Sequence, residues 1–524
     1  MNSRRGWLGS RTVLVIIVFL ACLLCFQVVL GIFKPQKPPV FQSPVFRFHL
    51  LSEPMDLDPA HLSGASGNYL LSNLYRSLYR YRPGVGLTPE GAKNCQWKGQ
   101  LKLVCQLDPK HQWSDGSAIT SEQYLRAFRR LVDPKTKTLQ AERLLRIKNA
   151  KEILKGKKKP HSLGVFAPSK YQLIFQLEEP DSDFLYRLAS PALAPLHSLP
   201  YKTKAQAHKA PFNGPYRIAQ WGKLGRIYLE PNPFYPGSKK RPKVEVLLVD
   251  DDTTALRLYE TGNLNLLRRL PSIMIESYRR RKDFFQVPLV RFDYLGFGPK
   301  LKNQPLLRKA LSLSLNYDQL KKLYHALGRP GCPSLPHRFL ERPSCIPFQP
   351  KQARQLLAHQ LKPRINQSQI GFSKMGGDDV QRGMEWLQDQ WLRHLGWRFL
   401  ISGSEQGIYL RRLRTQPPIV FRKGVSLDRP TCLAALEIFG KNHRENYIRY
   451  YNSRFEQVLK QLRRTTNKKE NRRLCQKGID YLMADFVLIP LGEMHFSMLQ
   501  DGKFRGWEIN ELNQLDLSLL EPTY

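Results

Sequence analysis

The residues that most often carry enzyme chemistry are not placed at catalytic or metal-binding spacings in this sequence. No two of the twelve histidines lie three to five residues apart, and there is no Gly-x-Ser-x-Gly elbow and no His-Glu-x-x-His helix. Residues 86–93 (GLTPEGAK) loosely resemble a phosphate loop, but Ala92 interrupts its Gly-Lys pair, which favours an ordinary turn. The sequence therefore predicts no catalytic residue, no metal and no cofactor. A hydrolase whose triad meets only in space is the alternative.

Six of the eight cysteines lie outside the apolar N-terminal stretch, and an even number in an exported chain suggests disulfide bonds. The first two flank a segment that can turn as a hairpin, the next two bracket a Pro-rich loop, and the last two are left by elimination. Free buried thiols are the alternative for each pair. The candidate pairs are Cys95 with Cys105, Cys332 with Cys345, and Cys432 with Cys475.

The charge balance is strongly basic. The 524 residues include 83 Lys and Arg against 43 Asp and Glu, a formal charge of +40, which points to an anionic partner such as nucleic acid, a membrane surface or an acidic ligand. A hydrophobic share of 42% excludes a disordered chain. The mean hydropathy of −0.43 excludes a polytopic membrane protein. The length predicts more than one lobe, because single cores stop growing at roughly 250–300 residues.

The basic clusters do not resemble a nucleic-acid groove. Residues 143–159 hold eight basic residues and one acid but no aromatic side chain on which a base could stack. Their charges alternate with an apolar helical stripe, which favours a solvated helix face. Two smaller clusters lie at 279–282 and 463–473. We therefore expect no nucleic-acid partner, while attraction to anionic lipid remains an alternative.

The N-terminus predicts the compartment. Three arginines precede an apolar run at residues 12–33, which is long enough for the ~20-residue helix that spans a bilayer. A cleaved signal usually has a shorter apolar core, of about 7–15 residues. We expect residues 1–40 to be a signal anchor with a Pro-rich spacer, and the rest of the chain to lie outside the cytoplasm. A cleaved signal peptide and lipidation at Cys22 are the alternatives.

The elements that must position any site alternate along the chain. Residues 45–51 have strand-like composition, 68–81 carry leucines at helical spacing, and 120–131 form an amphipathic helix after a turn. A second helix is predicted over 143–154. Strands and helices mixed in this way predict an α/β fold.

Several motifs then occur in one collinear order across about 45–500. They resemble the bacterial extracytoplasmic solute-binding proteins of family 5, the oligopeptide- and dipeptide-binding proteins of ABC transporters. Any one motif is weak, but independent turns would not fall in this order. The stretches are 52–59 (SEPMDLDP), 73–78 (NLYRSL), 113–122 (WSDGSAITSE), 129–134 (RRLVDP), 213–216 (NGPY), 230–235 (EPNPFY) and 307–312 (LRKALS).

The resemblance implies a two-lobed clamp of the periplasmic-binding-protein type with an additional domain. Lobe I would comprise residues 41–80, 205–297 and 488–524, the extra domain II residues 81–204, and lobe III residues 298–487. The implied function is to bind an extended peptide between the lobes and deliver it to the permease subunits of an ABC importer, with no chemistry on the ligand. It further implies a monomer on the periplasmic side of the bacterial envelope, held in the inner membrane by the N-terminal helix.

The resemblance also implies two ligand-binding segments. Before Leu-Asp-Pro, the family's groove-lining stretch falls on Glu53, Pro54 and Met55, although capping of a turn is the alternative for Glu53. The second segment ends at Pro430, where the family carries an Asp four residues earlier that pairs with the ligand's amino group. The residues of that segment are Arg422, Lys423, Gly424, Val425, Ser426 and Asp428.

This second segment departs from the family pattern. Ser426 stands at the family's Asp, and Lys423 stands where the oligopeptide branch has Trp. A neutral hydroxyl does not supply the charge-assisted bond that an ammonium forms with a carboxylate. Asp428, two residues away, would serve only after a loop shift, and its alternative is a turn residue. The sequence therefore predicts an anionic or cell-wall-derived ligand, or else an envelope-surface interaction protein that has lost the groove.

Overall fold

The computed structural model describes residues 44–523, apart from 55, 198–203, 223–224, 238–239, 324–330, 333–338, 340, 343–344, 359–368 and 377. The predicted anchor with nearly all of its spacer, and Met55 of the predicted site, lie outside the described residues. Within the described ranges, no helix has both the length and the apolar character needed to cross a membrane.

The fold is mixed α/β. In chain order, the strands are β1 (Val45–Leu50), β2 (Tyr79–Arg82), β3 (Gly86–Pro89), β4 (Ala92–Lys98), β5 (Lys102–Leu107), β6 (Val165–Ser169), β7 (Gln172–Gln176), β8 (Tyr216–Trp221), β9 (Arg226–Pro231), β10 (Lys243–Leu248), β11 (Leu266–Leu267), β12 (Phe284–Phe297), β13 (Gln369–Ser373), β14 (Leu400–Ser404), β15 (Val420–Ser426), β16 (Leu488–Gln500), β17 (Phe504–Arg505), β18 (Glu508–Ile509), β19 (Leu515–Asp516) and β20 (Glu521–Pro522).

The α-helices are α1 (Gly64–Leu74), α2 (Ser121–Val132), α3 (Ala150–Leu154), α4 (Phe184–Arg187), α5 (Asp252–Glu260), α6 (Ile275–Tyr278), α7 (Pro305–Leu313), α8 (Tyr317–Leu323), α9 (Pro350–Ala358), α10 (Asp378–Leu395), α11 (Gln406–Thr415), α12 (Cys432–Leu436), α13 (Ser453–Arg464) and α14 (Lys468–Ala484). The predicted helix over 143–154 is wrong. A 3-10 turn at Leu139–Leu144 and the short α3 replace it, and Asn149 between them has φ 68°.

Ten strands form one continuous sheet in the order β14-β13-β15-β12-β16-β11-β1-β10-β9-β8. At one end β1 runs parallel to β10 and β11. At the other end β13 runs parallel to β14 and β15. Alternate residues of β1, such as Phe46 and Phe48, are buried because the sheet packs against helices.

Two long strands, β12 and β16, connect the two ends of this sheet. The first half of β12 pairs with the second half of β16, and the second half of β12 also pairs with β15. The β12–β16 ladder is irregular between Pro288 and Phe292. Leu289 belongs to the core beside β1, whereas Val290 belongs to the core beside β15. The change of core therefore coincides with the break in strand pairing.

Three large cores are present in the described part of the chain. In the first core, β1 and α1 pack with the C-terminal residues through Leu520. In the second core, the sheet β4-β5-β7-β6 packs against α2. In the third core, α7, α10 and α12 pack against β15. Helix α2 begins at Thr120 with a capping box completed by Gln123. Disulfide bonds join the three pairs predicted from the sequence: Cys95–Cys105, Cys332–Cys345 and Cys432–Cys475.

Candidate functional site

Three strand ends converge on the irregular stretch Pro288–Phe292 of β12, which we call the junction. The registers of β11 with β16 and of β16 with β12 show that β1 and β11 both run toward it. From the other side β15 arrives and ends at Ser426, opposite Arg291. The loops that follow β1, β11 and β15 therefore approach one region from two cores. Such a region between two packed units is where ligand sites commonly form.

Glu53 and Pro54 lie in the loop that follows β1. Pro54 is buried, and Glu53 is exposed. The indole Nε1 of Trp221 donates a hydrogen bond of 2.8 Å to Oε1 of Glu53. The predicted segment therefore lies on the junction side of β1, and a tryptophan holds its carboxylate.

The first residues of the second predicted segment are part of β15. Arg422 is buried and forms an ion pair with Asp293 of β12, while its carbonyl accepts a hydrogen bond of 2.6 Å from Tyr409. Val425 belongs to the third core. At Gly424, an added Cβ would lie 2.5 Å from Oδ1 of Asp293, so only glycine fits beside this ion pair. Arg422, Gly424 and Val425 therefore form one side of the region around the junction.

Lys423 and Ser426 lie on opposite faces of the same strand, because side chains alternate along it. The side chain of Lys423 is 12% exposed, and its Nζ lies 3.8 Å from Oε2 of Glu445. Burial lowers the pKa of Lys423, Glu445 opposes this, and the neighbouring Arg291 adds to it. Ser426 is exposed. The residue predicted to stand at the family's acid is thus neutral and exposed, and the same strand carries a partly buried ammonium group.

Asp428 is held by two guanidinium groups. Arg429 donates to it from Nη1 at 2.7 and 2.8 Å, and Arg143 donates from Nη1 at 3.1 Å. Burial raises the pKa of Asp428, but Arg429, Arg143 and Arg187 outweigh it and hold the pKa well below its usual range. A ligand's ammonium group would therefore meet a carboxylate whose charge is already balanced.

Arg429 itself is fully buried and joins the second and third cores. Its Nε donates to Asp183 at 3.0 Å, and its other nitrogens contact Asp428 and Glu437. Thr431 also donates to Asp183, at 2.5 Å. Three carboxylates, one from Asp183 just before α4 and two from the segment 428–437, thus surround one guanidinium group, as a buried charge requires.

The interpretation of 143–159 as a solvated helix face holds for its end only. Lys157, Lys158 and Lys159 are exposed. Arg143 and Arg146, however, have side chains only 17% and 16% exposed and pair with Asp428 and Glu179. The beginning of this cluster is therefore mostly buried rather than solvent-facing, and Arg143 connects it to the segment beside the third core.

Residues 87–437 match the sequence profile of the "Bacterial extracellular solute-binding proteins, family 5 Middle", which covers more than half of the chain. The chain belongs to family 5 of the bacterial extracellular solute-binding proteins. This family consists of binding proteins rather than enzymes. The collinear motifs therefore identified the family correctly.

Among curated relatives, the periplasmic murein peptide-binding protein of Escherichia coli (strain K12) is 24% identical over 487 residues, covering 88% of this chain and 90% of the relative. The probable deoxycholate-binding periplasmic protein of the same organism is 23% identical, covering 87% and 89%. The oligopeptide-binding protein of Bacillus subtilis (strain 168) is 22% identical, covering 75% and 77%. Several relatives are thus periplasmic proteins by name, and their named ligands differ.

Solved structures of the family share the fold. The Escherichia coli murein tripeptide-binding protein superposes with a TM-score of 0.76 at 21% identity, covering 91% of this chain and 98% of that chain. The Haemophilus influenzae oligopeptide-binding protein in complex with the peptide RPPGFSPFR gives a TM-score of 0.75 at 20% identity, covering 92% and 100%. The family 5 protein described here is therefore an α/β protein of the periplasmic-binding type.

Among the described residues of this family 5 protein, one group lies close enough together to be able to hold a metal ion: Asp56, Asp58 and His61. Their oxygens and nitrogens are already engaged. Asp58 is bound by Arg130, and His61 contacts Asp56 at 2.9 Å through Nδ1 and the carbonyl of Thr136 at 3.2 Å through Nε2. This cluster joins the loop after β1 to α2.

Two arginines that matter for the site were missed from the sequence. Arg429 gave no signal, because its partner Asp183 is 246 residues away in the chain. Arg268 follows β11 directly and is buried, at 2% exposure. The sequence signal that could have indicated Arg268 was the pair of arginines at 268–269 in the stretch 264–270 (LNLLRRL), whose other residues are apolar except for Asn265.

Proposed function

We propose that this protein is the substrate-binding component of an ABC importer, which binds an extended peptide between two lobes and delivers it to a membrane permease. The observation that carries the proposal is the junction. The adjacent strands β12 and β16 each pass once between the first core and the third, and their pairing is interrupted at Pro288–Phe292. A few irregular residues between rigid units are what a closing hinge requires.

The proposed division of the chain follows the cores. Lobe I, made of residues 41–80, 205–297 and 488–524, contains the first core, domain II (81–204) nearly all of the second, and lobe III (298–487) most of the third. The loops after β1 and β11 belong to lobe I, and the loop after β15 belongs to lobe III. The groove would therefore lie at the junction, with lobes I and III on its two sides.

A peptide suits such a groove because its backbone carries a donor and an acceptor at each residue. Lobe edges can pair with these groups as an added strand would, which gives affinity without reading side chains. The names of relatives support a peptide ligand, since they include murein peptide-binding and oligopeptide-binding proteins. Ser426 and Lys423 favour a ligand that does not depend on an ammonium anchor at this position.

We further propose that the protein works as a monomer on the periplasmic side of the envelope, tethered by the apolar run at residues 12–33. Fractionation of cells that express the full chain tests the tether. The protein should stay in the membrane fraction after alkaline carbonate extraction, whereas a variant that carries a cleavable signal in place of residues 1–40 should be released. Release of both proteins would contradict the tether.

A second candidate is an envelope-surface interaction protein that keeps the fold and has lost peptide binding. Asp428 favours it, because both of its oxygens accept from arginines within the protein. So does the contact between Arg444 and Glu142, at 3.1 Å, which further joins the second and third cores. A protein that is already closed by its own ion pairs needs no ligand to close it.

Isothermal titration calorimetry with a peptide library, run on protein refolded from denaturant to remove co-purified ligand, separates the two candidates. Micromolar or tighter binding of peptides, with a rise in Tm on saturation, supports the importer component. The absence of any peptide binding, together with salt-sensitive binding to anionic vesicles, would support the interaction protein. Binding of a small non-peptide ligand alone would contradict the peptide assignment.

A further inference from the structure

Three arginines among the residues that the structure describes are buried without a carboxylate partner: Arg241, Arg268 and Arg308, which are 8%, 2% and 6% exposed. Arginine stays charged in proteins, so a buried guanidinium group must find compensation within the fold or from a bound anion. The three guanidinium groups differ in which protein atoms compensate their charge.

Two of them are satisfied by backbone carbonyls. Arg241 donates to the carbonyls of Pro236, Ser518, Asn232 and Tyr235 at 3.0–3.3 Å. Arg308 donates to four carbonyls of Leu301, Lys302, Asp485 and Phe486 at 2.6–3.0 Å. Each of these guanidinium groups is thus enclosed by acceptors and has a structural role.

Arg268 has no such enclosure. Its Cζ lies 5.3 Å from the ring centroid of Tyr69, and its buried Nε has no hydrogen-bond partner. Tyr69 is a neutral phenol, since burial raises its pKa to about 12 although Arg268 opposes this. The carboxylate of Asp252 is bound by Arg269 instead, with its Oδ2 at 2.7 Å from Nε. None of the described carboxylates therefore forms an ion pair with Arg268, and the protein balances its charge only in part, through contact with Tyr69 and the attraction of Asp252.

Arg268 stands where the proposed groove begins. It is the first residue after β11, and β11 runs toward the junction in register with Phe48 of β1. On its other side, the hydroxyl of Tyr69 donates to Asn513 at 2.7 Å, and the nearby carbonyl of Glu511 accepts from Val290 of the junction at 2.8 Å. This buried charge is thus next to the region where the three strand ends converge.

We propose that Arg268 is the subsite for a carboxylate of the ligand, so that the groove selects peptides that carry an acidic side chain or present their terminal carboxylate there. This inference rests on the proposed peptide-binding function. A guanidinium group and a carboxylate form two parallel charge-assisted hydrogen bonds. A neutral peptide would cover Arg268 and leave it unpaired, which opposes binding.

The test uses matched peptides and a matched pair of variants. The peptides are five-residue alanine peptides that carry Glu or its isostere Gln at one position and have a free or an amidated C-terminus. Each peptide is titrated against the wild type, Arg268→Met and Arg241→Met. We expect the wild type to prefer one carboxylate-bearing peptide over its neutral match by about ten-fold or more. Arg268→Met should abolish that preference, and Arg268→Lys should retain part of it. Arg241→Met, wherever it folds, should keep the preference.

The Tm of the ligand-free protein gives a second, independent reading. Removing a buried charge that has no ion pair with a described carboxylate should leave the Tm of Arg268→Met equal to or above that of the wild type, whereas Arg241→Met should lower it because four carbonyls lose their donor. A lower Tm for Arg268→Met would assign Arg268 a structural role and overturn the proposal.

The outcomes also separate this inference from the function on which it rests. One result refutes the carboxylate subsite: peptides bind, but the Glu and Gln forms bind equally and so do the free and amidated forms. A preference that persists in Arg268→Met refutes it as well. In both cases the peptide-binding function stands. If no peptide of the series or of the wider library binds the wild type, the peptide-binding function fails, and the carboxylate subsite fails with it.

Discussion

Arg429 and Asp183 form an ion pair of 3.0 Å although 246 residues separate them in the chain. Asp183 precedes α4, beside the second core, and Arg429 follows β15, beside the third. The guanidinium group also contacts Asp428 and Glu437, so it is the shared cation of three carboxylates. This one buried side chain therefore links the second core to the third, beside the contacts of Arg143 with Asp428 and of Arg444 with Glu142.

Replacing that side chain should be strongly destabilising. Arg429→Met leaves three buried or half-buried carboxylates without their common cation, and breaking a buried ion pair from one side costs about 3–5 kcal/mol. We expect the free energy of unfolding in urea to fall by that order of magnitude. Arg393→Met is the matched control, because Arg393 is 71% exposed in its pair with Asp389 and should change stability little. Equal effects of the two variants would contradict the assigned role.

Replacing Arg143 should weaken the contact between the second and third cores without removing the shared cation Arg429. Its Nη1 contacts Asp428 at 3.1 Å, and Arg429 still satisfies Asp428 when Arg143 is absent. We expect Arg143→Gln to fold and, without ligand, to show a larger radius of gyration by small-angle X-ray scattering, because one contact between domain II and lobe III is lost. Lys157→Gln, from the exposed end of the same cluster, should leave the radius unchanged. An unchanged radius in Arg143→Gln would show that this contact does not hold the units together.

The three disulfide bonds should contribute unequally. In the chain-entropy description, a cross-link stabilises more when it closes a longer loop, from about 2.5 kcal/mol for ten residues to about 4 kcal/mol for more than forty. Cys432–Cys475 spans 43 positions, Cys332–Cys345 spans 13 and Cys95–Cys105 spans 10. Paired Cys→Ala variants, compared by urea unfolding, should lose stability most for Cys432/Cys475. The reverse order would contradict the loop-length argument.

His49 should make the protein sensitive to mild acid. The side chain is fully buried in β1, and burial, with Arg268 and Arg269 nearby, lowers its pKa to about 3. The unfolded chain, with a histidine pKa near 6.5, binds this proton first as the pH falls. Stability should therefore be complete above pH 6.5 and decline by up to about 1.4 kcal/mol per pH unit between 6.5 and 3 from this group.

The variant His49→Phe checks that slope. It cannot titrate, so its stability measured by urea unfolding should depend less on pH between 6.5 and 4 than that of the wild type. His394 is the control, because it is only half-buried near the end of α10 whereas His49 is fully buried; burial and Arg354 also lower the pKa of His394. If His394→Phe flattened the profile as much as His49→Phe does, the assignment to His49 would be wrong.

The sequence was most informative where structure is local. Turn motifs and the start of the helix at Thr120 depend on neighbouring residues, and the order of the motifs identified the family. Two disulfide pairs were suggested by the short segments between their cysteines, and Cys432–Cys475 was left by elimination. The helix predicted over 143–154 failed because Asn149 takes a left-handed conformation that periodicity does not reveal. The spacing of apolar residues alone does not show where a left-handed residue interrupts a helix.

The site was less predictable, because its chemistry depends on contacts across the fold. Asp428 looked like a candidate anchor for an ammonium group, and only the fold shows that Arg143 and Arg429 balance its charge. Likewise, Lys423 is adjacent in sequence to Arg422, yet one approaches Glu445 and the other pairs with Asp293. A single strand alternates its side chains between two environments, and the partners in each come from distant segments.

The composition of the first core has a consequence for biogenesis. Phe46 near the beginning of the described chain packs edge-on against Phe504 near its end, with ring centroids 5.3 Å apart, and Leu515, Leu517 and Leu520 complete the same core. The first core consequently lacks part of its interior until Leu515, Leu517 and Leu520 have been synthesised. We expect the second core, which comes almost wholly from residues 78–193, to form first, while β1 stays unpaired and accessible to chaperones.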